Sequence, residues 1–263
     1  MSQPKVLHFA GQARIALQPG MIPLDDDDQR IVNSNWQRIV RNGSQEYDGP
    51  LVAIRKAAVV DGVLSITTQE TRYSHYAATR VGVLTRPAAA TCLAVNLLPI
   101  ASDGVALLAI TNPTSGNSGK LKFFGGSVQP ADLSLDVGDP VAVLKREVKE
   151  EFPALMSARH RRPHLAQVIV PAHEATLILL FVQRLLAPSA QLLESFSSDL
   201  DPDQEIAGVF PVGLGVHGLA AFRRRAMVDA LDYVAPALLT HVEAAQADDF
   251  QELANYLAER WPS

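Results

Sequence analysis

Cysteine is nearly absent: Cys92 stands alone in a chain of 263 residues. A single thiol excludes an intramolecular disulfide and any zinc cage built on several cysteines, and it fits a reducing cytoplasm. Long apolar runs are missing as well. The longest, "ATLILLFV" at residues 175–182, has the length of a strand, far short of the roughly 20 residues that cross a bilayer. The N-terminal "MSQPKVLHFAGQARIAL" has no apolar core of signal length, so no membrane partner is expected. The third absence is an excess of positive charge. With 23 Lys plus Arg against 28 Asp plus Glu, the formal net charge is -5, which offers nucleic acid no general attraction. Any anionic ligand has to be met by a local cluster.

What is present is enough apolar material, 48% of residues, for one large domain or one domain with a smaller companion. After a short strand, "LDDDDQRIVNSNWQRIVRNGS" predicts a helix. Its aspartates suit the free N–H groups of a first turn, Ile31, Val32, Trp36, Ile39 and Val40 recur at helical spacing, and Gly43 offers a stop. Two hairpins follow, turning at Asp61-Gly62 and Asp103-Gly104, with a short helix and a proline-marked linker between them. The linker places a boundary near residue 88: an N-terminal extension over 1–88 and a second unit over 89–263. Residues 112–140 form a loop-rich stretch around "LKFF", of the kind that often carries function. Strands are expected at "LAQVIV", "ATLILLFVQRLLA" and "IAGVFPV", then helices over about 219–258 broken near Pro236.

The most informative segment is "LKREVKEEFPAL", residues 144–155. It reads as a helix opening at Asp139-Pro140 and ending at Pro153, because a proline pushes the preceding residue out of helical geometry. At about 100° per residue, Val141, Leu144, Val148, Phe152 and Leu155 share one apolar stripe. Glu147, Glu150 and Glu151 then stand at i, i+3 and i+4 along its flank. A solvated face stabilised by ion pairs would set opposite charges three or four apart. Here Lys145/Lys149, Arg146/Lys149, Glu147/Glu150 and Glu147/Glu151 are like-charged, and Arg146/Glu150 alone is opposite. Three gathered carboxylates oppose the helix slightly unless a cation offsets them, and hard Mg²⁺ or Mn²⁺ prefers such oxygens.

The run "REVKEE", Arg146 to Glu151, with Gly125-Gly126 upstream, resembles the Nudix hydrolase signature G-x5-E-x7-R-E-U-x-E-E-x-G-U, where U is aliphatic. The resemblance spans about residues 90–213. It implies an α+β fold, a Nudix-like α/β/α sandwich with a mixed sheet, preceded here by the N-terminal α/β extension. It further implies a hydrolase that cleaves a phosphoanhydride in a nucleoside diphosphate derivative, a small-molecule partner, with a homodimer left open. Mg²⁺, or Mn²⁺ in its place, would be held by Glu147, Glu150, Glu151 and the Gly125 carbonyl, with Arg146 orienting a glutamate. The sequence departs from the signature in its loop. The sixth residue after Gly126 is Asp132 rather than Glu, six residues are inserted before Arg146, counting back from Arg146 lands on Gly138, and Pro153 replaces a glycine. Residues 47–81 are similar, more faintly, to the segment preceding the box in enzymes that cleave UDP-glucose and UDP-galactose.

A water nucleophile needs a base. Glu205 resembles the acidic residue ahead of the last core strand in relatives, with Glu174 its competitor and Asp199, Asp201 and Asp203 nearby. For the substrate, Arg159 and Arg161 in "ARHRRPH" could meet phosphate, and Tyr73, with His75 and Tyr76 beside it, could meet a base or sugar. "GLGVHG" at 213–218 matches a dinucleotide-binding glycine pattern, but no second strand follows its helix. Two other readings stay open: a fold of this kind that binds a nucleotide without hydrolysing it, and a different substrate such as ADP-ribose.

Overall fold

The structure, a computed structural model, describes residues 3–42, 47–85, 88–113, 119–133, 137–157, 160–173, 175–198, 205–243 and 250–261. In chain order the strands are β1 (Lys5–His8), β2 (Gln12–Met21), β3 (Pro50–Val60), β4 (Val63–Arg72), β5 (Cys92–Ile100) and β6 (Val105–Thr111). They continue as β7 (Leu121–Lys122), β8 (Phe124–Ser127), β9 (Val137–Gly138), β10 (His164–Val170), β11 (Thr176–Arg184) and β12 (Ile206–Gly213). The helices are α1 (Asp26–Arg41), α2 (Tyr73–Arg80), α3 (Pro140–Glu151), α4 (Pro153–Ser157), α5 (Ser189–Ser198), α6 (Val216–Asp229), α7 (Val234–Glu243) and α8 (Phe250–Arg260).

The sheet is mixed, as expected. β5 lies at its centre, parallel to β11 from Cys92↔Thr176 to Ile100↔Arg184. Its other edge is shared in succession by β3 at Cys92, β8 over Ala94–Leu97 and β6 at Ile100. All nine residues of β5 are buried, which is why the segment reads as an apolar run rather than an alternating one. The alternation reappears as a sorting between two cores. Leu93, Val95, Leu97, Leu177, Leu179 and Phe181 point to the side covered by α3 and α8, while Ala94, Leu98, Ile100, Ile178, Leu180 and Val182 point to the side covered by α6 and α7. The result is helix, sheet, helix.

The first hairpin forms as the sequence predicts, with Asp61 at φ 51 and Gly62 at φ 74, the two left-handed residues of a tight turn. The second departs from expectation. β5 and β6 pair only at Ile100↔Ala106, after which β6 swings away to take β12 on one edge and β7 on the other. Pro236 does not break the C-terminal helices. It sits in the first turn of α7, where a missing N–H costs nothing, and the break falls between Asp229 and Val234. α1 begins as read, with the Asp25 side chain accepting from the Asp28 N–H at 2.8 Å. Its expected stop, Gly43, lies outside the described residues.

The N-terminal segment shares sheet and core with the rest. β1 pairs β10, β3 meets β5, and Leu7, Phe9, Ile15, Val52 and Leu64 join the larger core with Leu144 and Val148. The loop between Asp132 and α3 is tied to the same segment, since Val137 and Gly138 pair with Ala16 and Ile15 of β2.

Candidate active site

α3 starts where its local chemistry dictates. Asp139 caps it by accepting from the Val141 N–H at 2.9 Å, and Pro140 occupies the first helical position. Val141, Leu144, Val148, Phe152 and Leu155 are all buried, as the wheel predicts. The burial extends to the carboxylate flank: Glu147 is 8% and Glu151 4% exposed, whereas the Glu150 side chain is 59% exposed. The glutamates therefore divide into two groups, each built around one cation.

The outer group surrounds Arg146. Its Nε and a terminal nitrogen grip Asp132 at 2.5 and 2.8 Å, and it also reaches Glu147 at 2.6 Å and Glu150 at 3.2 Å. Asp132 closes a short 3-10 turn (Pro130–Asp132), where it further accepts the Gln129 N–H at 2.9 Å. The two-toothed contact with Asp132 holds the guanidinium charged and raises its pKa. Asp132 thus takes the position beside Arg146, while Gly138, the alternative reached by counting back, is engaged on β2.

The inner group surrounds Lys122. Gly125 has φ +119, and a Cβ there would lie 2.3 Å from the Val95 carbonyl oxygen, so only glycine fits. Its N–H donates to Glu151 Oε2 at 2.6 Å. Lys122 Nζ lies 2.6 Å from Glu151 Oε1 and 2.6 Å from Glu205 Oε1, and donates to the Gly125 carbonyl at 3.2 Å. Lys122 sits on one edge of β6 opposite Ala109. Glu205 sits on the other, its carbonyl accepting the Asn112 N–H at 2.7 Å.

Burial pushes the Glu151 carboxyl up to about 7, against the pull of Lys122. Glu147 is raised by burial too, with Arg146 opposing. Burial would lower Lys122, but Glu151 and Glu205 outweigh it and hold the ammonium above its usual range. Gly126 gives Glu147 its room: a Cβ there would stand 2.5 Å from Glu147 Oε2.

Glu147, Glu150, Glu205, Lys122, Gly125 and Gly126 line a cavity of about 540 Å³. Its far side is aromatic and basic. Tyr73, Tyr76 and Arg80 come from α2, and His173, Thr176 and Tyr233 complete the wall. Tyr73 and Tyr76 stand 5.6 Å apart ring to ring, Arg80 lies over the Tyr76 ring at 5.6 Å, and Thr176 donates to the Tyr76 hydroxyl at 3.3 Å. Such a wall offers flat faces and a positive charge opposite an acidic rim.

As donors, Glu147, Glu150, Glu205 and the Gly125 carbonyl fit a hard divalent cation, because every one is an oxygen. The carboxylates are at present engaged by Arg146 and Lys122. Among the described residues, no group of three His, Cys, Asp or Glu side chains is placed to hold a metal ion.

Of the other residues expected at a site, Glu205 and Tyr73 line the cavity. Arg161 does not: its N–H donates to the Arg184 carbonyl at 3.0 Å, at the opposite end of β11 from the cavity residue Thr176. Arg159, Glu174, Asp199, Asp201 and Asp203 lie outside the described residues. His75 is structural, buried with Nδ1 2.9 Å from Thr71 Oγ1 and Nε2 2.6 Å from the Ala88 carbonyl. Sequence reasoning passed over Lys122 and Arg80. The signal for Lys122 was a lone charge inside the apolar "LKFF".

No family model matches the chain, and no curated protein matches it. Among solved structures, a Deinococcus radiodurans protein overlaps 56% of this chain and 81% of its own at 20% identity and a TM-score of 0.40. A NUDIX hydrolase from Nitrosomonas europaea overlaps 61% of this chain and 94% of its own at 15% identity and 0.39. The E. coli ORF135 protein overlaps 60% and 96% at 19% identity and 0.31.

Proposed function

We propose that this chain is a divalent-cation-dependent hydrolase of the Nudix type, cleaving the phosphoanhydride of a nucleoside diphosphate derivative, with UDP-sugars the first substrates to try. The observation that carries this reading is the Arg146 cluster. Asp132, in the sixth position after Gly126, engages Arg146 through both oxygens, and Arg146 aligns Glu147 and Glu150 on the cavity. The altered loop therefore keeps a carboxylate where the signature places one.

Glu147 and Glu150 would hold the cation, which when bound would offset diphosphate charge and acidify a bound water. Gly126 leaves room for the Glu147 carboxylate beside the cavity. Glu205, with its side chain 56% exposed, stands at the rim as the candidate base to take the proton of attacking water. Tyr73 and Tyr76 present ring faces for a base, and Arg80 a charge for phosphate.

The test is a panel of UDP-sugars, ADP-ribose, dinucleotides and CoA with Mg²⁺ or Mn²⁺. Metal-dependent release of a nucleoside monophosphate, lost in Glu150→Gln, supports the reading; no turnover on any member sinks it. One observation favours a second reading, a nucleotide binder without turnover: Arg146 and Lys122 already engage the carboxylates in ion pairs. A binder keeps ligand affinity in calorimetry while forming no product.

A further inference from the structure

Resting on the cation-dependent reading above, we propose that the Lys122 ammonium is the resident counter-ion of the inner half of the site. It takes the Gly125 carbonyl, Glu151 and Glu205 for itself, so that a divalent metal binds only on the outer side, at Glu147 and Glu150. Glu151, which the sequence groups with the metal ligands, becomes a positioning residue.

The geometry carries this assignment. Lys122 Nζ donates to Glu205 Oε1 at 2.6 Å and to the Gly125 carbonyl at 3.2 Å, and it forms an ion pair with Glu151 Oε1 at 2.6 Å, an oxygen with no hydrogen-bond partner of its own. Two carboxylates and a carbonyl are also what a hard divalent ion would seek. The two cations compete for them, because a unit charge and a double charge at contact distance repel, most strongly on the buried Glu151 side. Lys122 is badly placed to withdraw. Its side chain is 9% exposed, and its backbone is fixed on β7 between β6 and the Gly125 turn. Glu151 is equally committed, with its second oxygen on the Gly125 N–H at 2.6 Å. Swinging it toward a metal would leave the buried Gly125 amide without its acceptor and Lys122 without its buried carboxylate.

The outer side differs in this respect. Arg146 keeps Asp132 as a full two-toothed partner whether or not it holds the glutamates. Glu147 and Glu150 can therefore be released to a metal without leaving a charge stranded. A bound diphosphate would meet the metal on one side and the lysine ammonium on the other.

Mn²⁺ titrations followed by calorimetry and electron paramagnetic resonance on the full chain at pH 8 test the assignment, with thermal melts reporting the fold. Lys122→Gln keeps donors but removes the charge, and is expected to bind Mn²⁺ at least about tenfold more tightly or to take up an additional ion. Lys122→Arg, which keeps the charge, is expected to follow the wild type. A purely structural lysine would leave affinity unchanged or lower it, so Lys122→Gln binding no better than wild type overturns the proposal. Should Lys122→Gln fail to fold, the glutamate series decides. Glu151→Gln is expected to retain Mn²⁺ better than either Glu147→Gln or Glu150→Gln, and the reverse order overturns the proposal. Turnover of the substrate panel by wild type is scored separately. Gain of Mn²⁺ affinity without turnover removes the hydrolase reading and leaves the counter-ion assignment; turnover without the gain removes the assignment alone.

Discussion

Arg146 and Lys122 each organise acidic side chains of the same helix, but they do so in different surroundings. The Arg146 side chain is 30% exposed, and its partners Asp132, Glu147 and Glu150 come from α3 and a turn 14 residues upstream. Lys122 is 9% exposed, and one of its partners, Glu205, is 83 residues away. Arg146 itself is partly exposed and shares the exposed Glu150, so it can exchange partners with solvent and ligand more cheaply, although Asp132 and Glu147 beside it are buried. The buried Lys122–Glu151 pair loses a great deal when either member is removed, because the remaining charge has little water to fall back on, whereas Glu205 stays exposed. The outer cluster is thus suited to a metal that comes and goes, and the inner to a fixed charge.

The largest expected effect tests that contrast directly. Lys122→Ala leaves Glu151 buried and unpaired and is expected to cost about 3–5 kcal/mol of stability, read as a lower midpoint in urea. Glu147→Gln is expected to lower kcat by about 100-fold or more, on the order of 3 kcal/mol of transition-state stabilisation, while its melting temperature stays near wild type. Arg146→Ala is expected to cost less than the lysine change, about 1–3 kcal/mol, since Asp132 keeps the Gln129 N–H, Glu150 keeps water and the buried Glu147, left without its partner, still borders the cavity. A larger loss at Arg146 than at Lys122 would break the comparison. Gly126→Ala forces only the Glu147 carboxylate to move. It is expected to lower turnover about tenfold with little change in stability.

The smallest effect is a pH dependence of the inner cluster. Burial raises Glu151 from the ordinary 4.5 to about 7 in the folded chain. The fold therefore favours the protonated carboxyl, and this contribution is complete below about pH 4.5 and lost as pH rises through about 7. The melting temperature of wild type relative to Glu151→Gln, measured without metal, is expected to fall between pH 5 and pH 8. A constant difference would mean that Lys122 fully compensates the charge.

How much of the site was legible beforehand follows the same division. Arg146, Glu147 and Glu150 are neighbours through helical spacing, and spacing is written in the sequence. Their like-charged pattern is the reason a cation is expected beside them. Counting could not choose between Asp132 and Gly138 as the partner of Arg146, because it carries no information on the pairing of Gly138 with Ile15 or on the ion pair of Asp132 with Arg146. Arg161 misled because a basic cluster after the box helix carries no information on which end of β11 it will reach. The second hairpin misled similarly: Asp103-Gly104 makes its turn, but two other strands outcompete β5 for the edges of β6.

The sequence by itself determined the elements and their faces. α3 with its cap and proline stop, the Asp61-Gly62 turn, the buried run of β5 and the carboxylate flank all follow from interactions within a few residues, where spacing and backbone preference decide. Only the tertiary structure decided what the flank faces. Whether Glu151 meets a metal, water or Lys122 depends on β6 bringing β7 and β12 to its two edges. That meeting is a contest among long-range pairings whose energies no local segment contains.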